Sequence, residues 1–209
     1  VRSFSETGIY VSSNCSGHEI NGCEVHENTT GIADNSNGCT IKGCKVYSNN
    51  DDGITSNQTT NGVITRNTVY GNGLGESFRN GIFIAACSPE VSRNKVYDNY
   101  RNISIEGWSA ATTSPIVKNN LIYEVSETVE KGIYVYANHA SAVVSPNIYH
   151  NTIDLCKDGI ALEENNGTSA PQIKYNIVTN SNEVGIRNNS ANPTVDYNDA
   201  WNNALGNYS

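Results

Sequence analysis

The residues of this 209-residue chain whose types and spacing point to acid–base chemistry are Glu106, Glu163, Lys131 and Tyr136. Paired carboxylates held about 6.5–9.5 Å apart suit inverting glycoside hydrolysis, in which one protonates the leaving oxygen and the other activates water. In a lyase or epimerase chemistry, Lys131 or Tyr136 would instead remove the proton beside a uronate carboxylate, and Arg101 or bound Ca2+ would neutralise that carboxylate. The aromatic residues Tyr134, Trp108 and Phe83 offer faces for sugar rings, and Arg101 and His139 offer polar contacts. These residue types together point to a polysaccharide groove. A metal centre built on His or Cys is not expected. His18, His26, His139 and His150 occupy unrelated positions, and none of the six cysteines has Cys-x-x-Cys spacing.

Such residues are far apart in sequence, so only a repeating architecture can gather them. A Gly-Ile step recurs as Gly8-Ile9, Gly31-Ile32, Gly53-Ile54, Gly81-Ile82, Gly132-Ile133, Gly159-Ile160 and Gly185-Ile186, with Asn102-Ile103 filling the gap. A second landmark, aliphatic-x-x-Asn-x-aliphatic, runs through Asn67, Asn94, Asn120, Asn151, Asn176 and Asn198, with Cys23 and Cys44 replacing Asn in the first two copies. Pro89, Pro115, Pro146, Pro171 and Pro193 all precede their Asn by the same offset (94 − 89 = 5) while the repeat length varies. One coil is too small to bury its own Ile and Val, but stacked coils bury them in a column. Asn suits the sharp bend, because it tolerates the left-handed backbone and its amide can bond the next Asn in the stack. The expected fold is an all-β, single-stranded right-handed parallel β-helix of about eight coils with three short strands each, spanning 1–209 as one domain.

Coil-on-coil register predicts which side chains meet. The residue after each Ile forms an outward row, Tyr10, Ala33, Thr55, Phe83, Ser104, Tyr134, Ala161 and Arg187. The next row is Ser12, Asp34 or Asn35, Asn57, Ala85, Glu106, Tyr136, Glu163 and Asn189. Glu106 and Glu163 then lie two coils apart, about 10 Å, with Tyr136 between them. Ahead of the strand, Arg101, Lys131 and Asp158 share a row, and the insertion 73–80 adds Glu76 and Arg79. The longest connections follow Ile103, Ile133 and Ile160 and carry Trp108, His139 and Glu164. Polar and aromatic residues tile any solenoid surface, so the same rows also fit a scaffold without chemistry. A further row, His26, Tyr47, Tyr70, Tyr97 and Tyr123, reads as a structural stack. Asn28, Asn49, Asn72 and Asn99 read as another ladder, interrupted by Val125 and Cys156. Cys23 with Cys44, and Cys15 with Cys39, are within reach of pairing but serve equally as free thiols.

The Gly-Ile strand, loop, Pro-x-Ile strand, Asn bend and Val strand resemble the repeat of the pectate-lyase-like parallel β-helix superfamily over nearly the whole chain. The resemblance implies that substrate lies along the first strand of each coil and its flanking loops. It leaves activity open, because that superfamily holds lyases, hydrolases, epimerases, tailspikes and non-catalytic surface proteins. An Asp-Pro-His-Asp epimerase motif, the clustered Asp set of polygalacturonases and the acidic calcium cluster of pectate lyases are all missing from this sequence.

Composition narrows the partners. Formal charge is −8, with 13 Lys+Arg against 21 Asp+Glu, so no basic stripe marks a nucleic-acid binder. No apolar run is long enough for membrane insertion. The class implies an extracellular or cell-surface location, and both ends fall in repeat-like sequence, so flanking domains of a longer chain are expected. Two functions remain: a carbohydrate-recognising β-helix, with or without lyase, epimerase or hydrolase activity, and a non-catalytic surface or adhesin scaffold.

Overall fold

A computed structural model of the protein describes residues 1–57, 62–73, 78–125, 130–189 and 191–209. Glu76 lies outside the described residues. Each coil gives one strand to each of three all-parallel sheets. The front sheet has nine strands, from Thr7–Val11 to Gly206–Tyr208. The second sheet has eight, from Glu19–Asn21 to Thr194–Asp196, and the third has eight, from Glu24–His26 to Asp199–Trp201. Parallel strands cannot be joined by hairpins, so the chain travels round the coil before it pairs with itself. The result is a β-helix of eight coils and a ninth front strand.

The core is a set of aliphatic columns. Ile32, Ile54, Ile82, Ile103, Ile133 and Ile160 pair in register along the front sheet and are fully buried. Ile41, Ile64, Val91, Val117, Ile148 and Ile173 do the same behind the second sheet, and Val46, Val69, Val96, Ile122, Ile153 and Val178 behind the third. The Gly of the Gly-Ile step is required by close approach. A Cβ on Gly31 would sit 2.4 Å from the Gly53 carbonyl oxygen and 2.6 Å from a Val46 methyl, and one on Gly159 would sit 2.2 Å from a Val178 methyl. Asn102 takes the Gly position in the fifth coil by sending its amide into the neighbouring ladder.

That ladder joins Asn28, Asn49, Asn72, Asn99 and Asn102, each Nδ2 donating to the next Oδ1 at 2.8–3.0 Å. Beyond it the chain departs from the repeat: Glu124 is buried and Val125 is 70 % exposed. The other ladder runs from Asn67 through Asn94, Asn120, Asn151 and Asn176 to Asn198, at 2.9–3.0 Å per step. Each Oδ1 also accepts the backbone N–H of the preceding Asn, as Asn120 Oδ1 does from Asn94 at 2.9 Å. Buried polar groups are thereby satisfied from coil to coil. The left-handed conformation expected of these Asn belongs instead to the residue before each one: Arg66, Arg93, Asn119, His150, Tyr175 and Tyr197, with φ between 55° and 58°. Cys44 imitates the ladder, its thiol donating to the Ile20 and Lys42 carbonyls at 3.7 and 3.3 Å. All six cysteines are free thiols.

Three consecutive coils carry the longest connections after the front strand. The long connections after the front strand fold into a fourth short sheet, Thr112–Thr113, Val143–Val144 and Thr168–Ser169. Thr113, Val144 and Ser169 are buried beneath it. Gly107 makes room for this layer, since a Cβ there would lie 2.6 Å from a Val144 methyl. The front strands of these coils are also the longest: Arg101–Gly107, Lys131–Ala137 and Asp158–Glu164.

Candidate functional site

Coil register places the outward rows as the sequence pattern predicts. Phe83 pairs with Ser104, Ser104 with Tyr134, and Tyr134 with Ala161. In the next row Ala85 pairs with Glu106, Glu106 with Tyr136, and Tyr136 with Glu163. Asp34 pairs with Val11 and Ser56 and is buried, so Asn35 is the outward residue of its coil. The pre-strand row runs Asn80, Arg101, Lys131 and Asp158.

These rows form the floor of one cleft of about 780 Å³. Phe83, Arg101, Glu106, Trp108, Lys131, Tyr134, Tyr136 and Glu163 all line it. His139 does not. It sits in the turn beyond the front strand, where its backbone N–H donates to the Gly107 carbonyl at 3.0 Å and its Nδ1 accepts the Ser141 N–H at 3.2 Å. Asp52, Phe78, Asn80 and Glu130 line the cleft without having been singled out in the sequence, and Arg79 enters it from the insertion. The signal for Asn80 was present: it stands one coil before Arg101 in the pre-strand row.

The charged groups hold one another in place. Glu106 is 2 % exposed and accepts three hydrogen bonds: Ser104 Oγ at 2.6 Å and Arg101 Nη1 at 3.1 Å on Oε1, and Trp108 Nε1 at 2.6 Å on Oε2. Its carboxylate therefore anchors the Trp108 ring at the cleft wall. Lys131 is bonded to Asp158, which also receives Arg187 Nε at 3.0 Å and Nη2 at 2.8 Å. Burial alone would raise the Asp158 carboxyl, but the Arg187 and Lys131 bonds outweigh it and hold it below the usual carboxylate range. Glu163 Oε2 accepts the Tyr134 hydroxyl at 2.7 Å. Burial first, and then this bond, push that hydroxyl well above the ordinary tyrosine range, so Tyr134 stays a neutral donor. Asp52 Oδ1 accepts the Asn80 N–H at 2.7 Å and its amide at 2.9 Å. Burial, followed by the charge of Asp51, pushes the Asp52 carboxyl up to about 7.

Aromatic groups complete the wall. Trp108 is 54 % exposed and meets Tyr136 edge-on, with centroids 6.2 Å apart. Tyr136 donates its hydroxyl to Asn138 at 2.8 Å and lies 5.7 Å from Tyr134. The Arg101 guanidinium covers the Tyr134 ring at 4.1 Å and the Phe78 ring at 5.0 Å. Among the described residues, no group of three or more His, Cys, Asp or Glu side chains gathers to hold a metal ion. No helix among the described residues is long and apolar enough to cross a membrane.

Stacked parallel coils with a cleft on the front sheet define a parallel β-helix protein. The sequence profile of the right-handed beta helix region matches residues 1–122, more than half the chain, and the protein belongs to that family. No curated protein sequence matches it. Among solved structures, the chain is similar to the A-module of the Azotobacter vinelandii mannuronan C-5 epimerase AlgE4, at 15 % identity and a TM-score of 0.61. That match covers 93 % of this chain and 62 % of the A-module, so the chain spans less than two thirds of it. An alginate lyase from Paenibacillus sp. str. FPU-7 gives 13 % identity and a TM-score of 0.48 over 95 % of this chain and 76 % of the lyase. At such identities the likeness is one of fold.

Proposed function

We propose that the front-sheet cleft recognises a polysaccharide segment, which it grips between aromatic faces and carboxylates. The observation that carries this reading is convergence. Residues from four consecutive coils, nominated by type and spacing, line one cleft whose exposed Trp108 is fixed by a buried carboxylate. Concave sites with aromatic walls and a few oriented polar groups are the usual form of small-ligand and glycan sites. An extracellular location follows from that reading. Of the four residues expected to carry catalysis, Glu106 and Lys131 are committed to buried or nearly buried ion pairs and Tyr136 donates to Asn138. Glu163, joined to Tyr134, is the group best placed to meet substrate. This engagement favours recognition over turnover.

The test is a panel of neutral glycans and polyuronates, read by calorimetric binding and by release of reducing ends or unsaturated products. Binding to at least one polymer is expected, with Trp108→Ala weakening it about ten-fold, the loss of one aromatic stacking contact of roughly 1.4 kcal/mol. Product release that vanishes in Glu163→Gln would replace the recognition reading with an enzyme. A folded chain that binds no member of the panel would end the proposal.

A further inference from the structure

Charge pairing within the cleft bears on which glycan can enter, and this step rests on the recognition reading above. Every cation lining the cleft among the described residues already has a carboxylate partner. Arg79 Nη1 lies 2.8 Å from Asp51, Arg101 Nη1 lies 3.1 Å from Glu106, and Lys131 is bonded to Asp158. The carboxylates are not matched in return. Asp52 hydrogen-bonds the neutral Asn80 side chain and backbone and, with its carboxyl pushed up to about 7, carries part of a charge at neutral pH, whereas Glu163, among the described residues, hydrogen-bonds only the Tyr134 hydroxyl. Glu130 comes no nearer than 4.0 Å to Lys157, which lies closer to Glu183 at 3.6 Å. The unmatched charge in the cleft is therefore negative, on a chain whose net charge is already −8.

We infer that the cleft takes a neutral glycan and excludes polyuronates. A polyuronate brings one carboxylate per sugar into a site whose cations each already face a protein carboxylate. Arg101 keeps donors beyond the Nη1 it gives Glu106, so a uronate there would compete with a carboxylate 2 % exposed for a charge that is already offset. A neutral sugar makes no such demand. Its hydroxyls donate to the open oxygens of Glu163 and Asp52, and its apolar ring face packs on Trp108 and Tyr136. Fixed negative groups in a concave wall also repel an incoming polyanion before contact.

The experiment titrates the full chain with neutral gluco-, manno- and xylo-oligosaccharides and with oligogalacturonates and oligomannuronates of equal length. The expected result is about ten-fold tighter binding of a neutral oligomer at low salt, the discrimination shrinking as roughly 0.3 M salt screens the repulsion. Glu163→Gln should raise uronate affinity about three-fold by removing one repelling charge. Uronates bound as tightly as neutral sugars, or unaffected by Glu163→Gln, would overturn the inference while leaving recognition standing. A chain of intact fold that binds neither class would fail the recognition reading itself, and the inference with it.

Discussion

Two aromatic arrays on this molecule are built in opposite ways. On the third sheet His26, Tyr47, Tyr70, Tyr97 and Tyr123 stack face to face, with centroids 4.7–5.0 Å apart and ring planes within 9° of parallel. That spacing is the strand spacing of a sheet, so identical residues in register produce the stack with no further device. Each inner ring spends both faces on its neighbours. On the front sheet Trp108 and Tyr136 meet edge to face at 83°, and Trp108 is fixed from behind by Glu106 rather than by another ring. Rings used by the fold are covered by rings, whereas rings offered to a ligand are held by hydrogen bonds at their rims. The cleft side consequently depends on buried charge, and the stack side does not.

The sharpest way to break this contrast is to remove charge from the cleft side. Asp158 is fully buried and receives both Lys131 and Arg187. Asp158→Asn would leave Lys131 without its carboxylate and Arg187 with Glu183 alone, at a cost of about 3–5 kcal/mol in urea unfolding. The wild-type carboxyl is held below its ordinary value, so its contribution is present above the unfolded pKa and is lost as pH falls through the folded one. The variant should therefore differ most from wild type at neutral pH and converge with it only as pH falls through the depressed folded value of Asp158. A cost under about 1 kcal/mol at pH 7 would mean that the network is solvated, as surface pairs are.

The complementary substitution is Tyr97→Ala, which opens the middle of the stack. Two ring contacts, to Tyr70 and Tyr123, and the Lys95 ammonium 5.2 Å from the Tyr97 ring are lost together. Stability should fall by about 2 kcal/mol. Glycan affinity of the folded chain should not change, in contrast with Trp108→Ala, which should lower affinity. Equal effects of the two substitutions on binding would erase the distinction between the arrays.

Much of this arrangement was legible in the residues because a solenoid turns sequence period into vertical contact. The locked offset between each Pro and its Asn fixed the coils despite their unequal lengths, and with them the rows that carry Tyr134, Glu106 and Glu163. Side-chain state was not legible in the same way. Type and spacing nominate Glu106 and Lys131 as reactive groups, but whether a carboxylate is open or tied to Arg101, Ser104 and Trp108 depends on rotamers across coils. His139 lies outside the cleft for a related reason: it sits in the turn of a long connection, where no repeat fixes its register. Asp52 and Asn80 extend the pre-strand row back from Arg101, but an Asp and an Asn in a chain tiled with both carry no signal of type that marks them for the cleft.

Asp52 also supplies the finest test of the contrast, because it locates pH sensitivity on the cleft side. Its folded pKa of about 7 lies above the ordinary aspartate value, so the native state holds the proton more tightly than the unfolded chain does. Linkage then lowers stability as pH rises from about 4 to 7 and leaves it flat above. Asp52→Asn cannot ionise, yet its side-chain oxygen can still accept the two Asn80 donors. The variant should match wild type at pH 4 and exceed it at pH 8. Because the site is partly exposed, the gain should be on the order of 1 kcal/mol, or about 2–4 °C in Tm. Third-sheet variants such as Tyr97→Ala should show no such pH-dependent difference from wild type. A Tm gap between Asp52→Asn and wild type that stays constant from pH 4 to pH 8 would show that the carboxyl is not the titrating group of the cleft.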